Sequence, residues 1–185
     1  MIADIAIVIA AALFIGVYVS WRAGRIDRLH ARVDMACVAL DVALLRRSSV
    51  AQELASSGLL DPATSLLLAS AVHGTKDITS RPRDLAESDL TRALRAAFSQ
   101  PDFRASLSGK EGADELLAEV EEAAHQVYLA RKFYNDLVAV TRDARRRPLA
   151  RVLRLSGRAP APVFFEMDDS LIAEKAGAPL GSASS

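Results

Sequence analysis

A chain of 185 residues is long enough for one domain with a real core and too short for two ordinary ones, so one folded unit with appendages is expected. Its 23 basic and 23 acidic residues cancel, which removes any global electrostatic argument for nucleic acid, and no nucleic-acid partner is expected. Hydrophobic residues make up 51% but aromatics only 5%, an Ala-, Leu- and Val-rich mixture that favours helix over sheet.

From Ile5 to Trp21 there is no charged residue, and the run Ile5 to Val19 is almost wholly apolar. At ~1.5 Å per residue it reaches across most of a hydrocarbon core. Tyr18 and Trp21 sit where an interfacial aromatic belt needs them, with Arg22, Arg25 and Arg28 just beyond. The competing reading is a cleaved signal peptide, but such a peptide carries its positive charges ahead of the apolar run. Here they follow it, and no Ala-x-Ala cleavage site lies just past it. Residues 1–24 therefore read as a transmembrane anchor. With Asp4 before the span and arginines after it, the N-terminus is expected outside and the main domain in the cytoplasm, tethered to the inner (plasma) membrane.

Beyond the anchor, Ile26, Leu29, Val33, Ala36, Leu40, Ala43, Val50 and Leu54 recur at alternating spacings of three and four, with Arg47 completing the heptad. No Pro or Gly interrupts the stretch between Arg25 and Ser57, so one helix is expected to run on from the membrane and end at Gly58. Cys37 is the only cysteine, which excludes an intramolecular disulfide, and its neighbours Val38 and Leu40 predict a buried thiol. A short second helix opens with Asp61 and Pro62, carries Leu66, Leu67, Ala69 and Val72, and is expected to stop at Gly74 and Thr75. Asp84 and Glu87 have capping-box spacing for a third helix bearing Leu85, Leu90, Leu94 and Phe98, which Gln100-Pro101-Asp102 closes or interrupts.

The longest soluble element is predicted from about Glu111 to Arg147, where Leu116, Val120, Ala123, Val127, Ala130, Tyr134, Leu137, Thr141 and Ala144 keep the same spacing. Arg142, Arg145, Arg146, Arg147, Arg151, Arg154 and Arg158 then crowd one stretch with Leu149, Val152, Leu153 and Leu155 between them. If this helix packs antiparallel to the first, that stretch returns to the bilayer, where anionic lipid attracts each well-placed arginine by about 1 kcal/mol. Simple cation placement at a helix C-terminus explains the same residues. An RNA reading lacks stacking aromatics nearby. The domain is bounded at 25–156, and the Pro-, Gly- and Ser-rich residues 157–185 read as a mostly disordered tail.

Few residues suggest chemistry. Glu122 and His125, like Asp27 and His30, have the i, i+3 carboxylate–imidazole spacing of di-iron bundles, but Glu119, Glu121 and Glu122 read as a solvated acidic face. Ser108-Gly109-Lys110 lacks the upstream glycine of a phosphate loop and reads as a turn feeding a helix. Without a nucleophile–base or zinc arrangement, no enzyme activity, metal or cofactor is expected. Arg46 and Arg47 read either as surface charge or as a polar layer that pairs with acids of the last helix and fixes the bundle register. Phe133, Tyr134 and Asn135 read either as a solvent edge with Tyr134 packing inward or as a recognition patch.

Leu40-Asp41-Val42-Ala43-Leu44-Leu45-Arg46-Arg47 and Ala130-Arg131-Lys132-Phe133-Tyr134-Asn135-Asp136, followed by Pro148, Gly157 and Phe164-Phe165-Glu166, resemble the LemA family of bacterial membrane proteins. The resemblance runs in order over roughly residues 5 to 168. The family repeats its Tyr-Asn pair one or two turns on, where this chain has Thr141-Arg142. The resemblance implies a helical-bundle domain behind one membrane span and carries no catalytic residue over. The fold expected is all-α: a transmembrane helix continuing into an antiparallel bundle of about four helices, two long and two short. The function expected is that of a tethered scaffold or adaptor contacting proteins and anionic lipid, the alternative being a self-associating structural protein and, behind it, a metal-binding bundle built on Glu122 and His125.

Overall fold

A computed structural model of the chain describes residues 1–77, 82–101, 103–147 and 160–168, and of Ile2 and Ala23 the backbone only. Regular structure among these residues is entirely helical: α1 (Ile2–Ser56), α2 (Pro62–Lys76), α3 (Arg83–Phe98), α4 (Phe103–Leu107) and α5 (Ala113–Arg146). The short α4 is the element beyond the four expected. The chain divides into two compact units, Met1–Val38 with Phe133–Phe164, and Ala39–Lys132 with Phe165–Ser185.

In the first unit α1 carries the apolar run, long and apolar enough to cross a membrane and fully open to its surroundings. Past the run the heptad reading holds: Ile26, Leu29, Val33 and Ala36 are all buried, as are Val138 and Thr141 on α5. The Thr141 hydroxyl finds no hydrogen-bond partner among the described residues. Cys37 is half-buried rather than enclosed, because it sits one position past the buried edge marked by Ala36.

In the second unit Val50, Ala51 and Leu54 of α1 join Leu68 and Val72 of α2, Leu90 and Leu94 of α3, Phe103 and Leu107 of α4, and Leu117 and Val120 of α5. Each fully buried leucine contributes roughly 1.5–3 kcal/mol. Gly58, at φ +73°, takes the left-handed conformation that terminates α1, as its place after the heptads predicts. Asp61 caps α2 by accepting from the amides of Ala63 and Thr64 at 3.0 and 3.1 Å. Its hydrogen bonds with Thr64, and the backbone bonds of the cap, hold its carboxyl below the ordinary value of 3.8. This cap therefore supports the fold above that pH and weakens as pH falls through the lowered value.

Three details depart from the sequence reading. Helix α2 runs two residues past Gly74 to Lys76, and it turns Thr64, Leu68 and Val72 inward while Leu66 and Leu67 face solvent. Helix α3 begins at Arg83 without a side-chain cap. The capping box fails because Glu87 is drawn into the core by the Arg47 guanidinium. The third concerns the segment Pro160–Asp168, placed in the tail from sequence, which makes specific contacts in both units: Tyr134 donates to the Val163 carbonyl in the first, and Met167 is buried in the second.

Candidate functional site

In the first unit the C-terminal end of α5 lies beside the part of α1 that directly follows the apolar run. Arg22, Arg25, Ile26 and Leu29 of α1, Val140, Asp143 and Ala144 of α5, and Arg147 just past its end line a cavity of about 50 Å³. Three arginines and one aspartate share its lining with apolar side chains. Arg147 reaches Asp143 at only 3.4 Å, so its charge is weakly held and largely available. The space admits a few water molecules or the oxygens of a phosphate group, and the charge balance favours an anion.

Arg145 is positioned by two contacts: Nη1 donates to His30 Nε2 at 2.8 Å and to the Pro160 carbonyl at 3.1 Å. His30 Nδ1 lies 3.0 Å from the Ile26 carbonyl, so an Nδ1–H donor with an Nε2 acceptor satisfies both partners. Arg142 lies 5.2 Å from the centroid of the Phe164 ring, a cation–π distance. Arg146 is exposed. Of the predicted basic cluster, Arg145, Arg146 and Arg147 thus share one end of α5, while Arg151 and Arg154 lie outside the described residues. Sequence spacing marked the α5 arginines but not their convergence with Arg22 and Arg25, which depends on tertiary packing.

Tyr134 is half-buried and its hydroxyl donates to the Val163 carbonyl at 2.8 Å; Phe133 is exposed and Asn135 half-buried. The three residues split by role: Tyr134 anchors the following segment, and only Phe133 offers an open apolar surface. Replacing Tyr134 by Phe removes one hydrogen bond of about 1 kcal/mol. Amide exchange over residues 160–164 is expected to rise roughly fivefold by that energy, with exchange in the middle of α5 unchanged, as hydrogen–deuterium exchange can measure.

In the second unit the adjacent arginines also differ. Arg47 is 3% exposed: it donates to the Glu87 carboxylate at 2.6 Å, to Thr91 Oγ1 at 2.9 Å and to the Glu87 carbonyl at 3.2 Å. Burial pushes the Glu87 carboxyl above its ordinary range, and Arg47 pulls it back. Arg46, half-open, pairs with Glu119 at 2.6 Å. The polar layer exists, but the buried arginine takes its acid from α3 and the exposed one takes it from α5. Arg95 pairs with Asp168 at 2.5 Å, whose amide donates to Ser88 Oγ, fixing the end of the described C-terminal segment.

Glu122 and His125 both face solvent, and His125 stacks on Tyr128. Among the described residues no group of three or more His, Cys, Asp or Glu side chains is placed to hold a metal ion. Ser108, Gly109 and Lys110 form a turn with Gly109 and Gly112 at positive φ, and Lys110 donates to the Leu59 carbonyl. No family model, no curated protein and no solved structure matches the chain.

Proposed function

We propose that this protein is a membrane-tethered helical scaffold or adaptor: a single span holds it in the inner membrane with its N-terminus outside, and the helical units meet partner proteins in the cytoplasm. The observation that carries this reading is the meeting of Arg22 and Arg25 with Arg147 directly past the apolar run. Basic residues at that level favour the cytoplasmic side and anionic headgroups. Exposed Leu66 and Leu67 on α2 and Leu85 on α3 provide apolar surface for a protein partner. The order of span, helices and Phe-Tyr-Asn run supports placing the chain as a divergent LemA-like bacterial protein.

A second reading, a self-associating structural protein, draws on Ala10 to Ala12 and Gly16 in the span, where small residues allow helices to approach closely. Topology tests the first reading. With Cys37 replaced by Ser, a single cysteine at Ala3 should react with a membrane-impermeant maleimide in intact cells, and one at Leu66 should react only after lysis. The reverse pattern contradicts it.

A further inference from the structure

Helix α1 has a second apolar face, on the side away from its buried seam. With the core taking Val33, Leu40 and Arg47, the opposite heptad positions a and d fall on Arg28, Ala31, Met35, Val38, Val42 and Leu45. All six are exposed. In the first unit Met35 is 74% and Val38 62% open, and in the second Val42 is 61% and Leu45 65% open, along one unbroken helix. Val at a with Leu at d is the combination that favours two-stranded coiled coils.

The flanking charges say what covers this face. Positions g are Asp27, Asp34 and Asp41; positions e are Arg32, Ala39 and Arg46. In a parallel pair each g residue meets the e residue five places on in the other chain, giving Asp27 to Arg32, Asp34 to Ala39 and Asp41 to Arg46. Two contacts attract and none repels. An antiparallel pair sets g against g and e against e, aspartate facing aspartate and arginine facing arginine. We infer that two copies of this chain associate in parallel through the Met35–Leu45 face of α1, as a short two-stranded coiled coil.

Asp41 is already held by Arg83 at 2.7 Å and Arg46 by Glu119 at 2.6 Å, so the side chains edging the face are ordered before a second copy arrives. Arg46 has further guanidinium donors with which to meet Asp41 of that copy. Arg28, a cation at an a position, weakens the seam and helps set its register. The charges at g and e favour the parallel orientation and outnumber the one like-charge layer, Arg28 against Arg28, so the inference does not rest on the tethered-scaffold reading. An anchor at the same end of both chains reinforces it by raising effective concentration.

The test uses the full chain with Cys37 replaced by Ser, reconstituted sparsely in phosphatidylcholine vesicles. Single cysteines at Val38, Val42 or Leu45 are oxidised and compared with cysteines at Leu66 or Leu85, which are exposed apolar sites on other helices. Disulfide dimers should form at the three face positions and several-fold less at the two controls. Asp27→Arg should reduce the Leu45→Cys yield, and adding Arg32→Asp should restore it. Equal yields at face and control positions overturn the proposal, as does an Asp27→Arg yield that matches the unsubstituted chain.

Discussion

Replacing Arg47 by methionine is expected to cost about 3–5 kcal/mol of stability, the largest effect of any single substitution considered for this fold. The guanidinium is buried with the Glu87 carboxylate, and its removal leaves that acid enclosed, with Arg83 acting on it by charge alone. Replacing both residues, Arg47→Met with Glu87→Leu, removes the desolvation cost along with the pair and should be neutral or stabilising by about 1–4 kcal/mol. The single variant carries a pH signature. Burial already holds the Glu87 carboxyl above its ordinary 4.5, and loss of Arg47 raises it further. A carboxyl whose folded pKa exceeds its unfolded one contributes most below the unfolded value and weakens the fold as pH rises through the interval. The penalty of Arg47→Met should therefore shrink when denaturation is followed by circular dichroism at pH 4.5 instead of pH 7. A penalty larger at low pH contradicts the account.

Replacing Arg22, Arg25 and Arg147 together by glutamine is expected to lower affinity for anionic phospholipid by about 3 kcal/mol, or roughly a hundredfold, at about 1 kcal/mol per arginine. If the apolar run of α1 crosses the membrane as proposed, it holds the protein there in either case, so partition is the wrong readout. Lipid retained by the purified chain is the right one. Mass spectrometry of co-purified lipid should show phosphatidylglycerol falling towards its bulk fraction in the triple variant. The same substitutions at exposed Arg92, Arg104 and Lys132, outside the cavity, should leave it unchanged. The effect should fade at high ionic strength, as screening requires.

Much of the fold was legible because α1 obeys one strong rule: an apolar period of three and four forces one face inward, and every member of that predicted seam from Ile26 to Leu54 is buried. The sequence was least informative where runs of apolar residues left the phase undefined. Leu66-Leu67-Leu68 offers three equivalent leucines, and packing against α3 selects only the last for full burial. Arg47 fell on the seam by spacing, but its partner did not, since nothing local distinguishes Glu87 from a capping acid. The basic site was half visible: the α5 arginines form a run, whereas Arg22 and Arg25 join them only through tertiary packing. The contacts of Pro160–Asp168 were hidden because Phe164, Met167 and Asp168 are anchored one residue at a time, by Arg142, by burial, and by Arg95 with Ser88, without a periodic pattern.

Proximity labelling from an enzyme fused at Ser185 in living cells, compared with the same fusion lacking residues 1–22, tests most directly whether this is a tethered cytoplasmic scaffold. A tethered cytoplasmic scaffold should label a short set of cytoplasmic and inner-membrane proteins that is lost with the anchor. Labelling of extracytoplasmic proteins, or a set indifferent to the anchor, would contradict it.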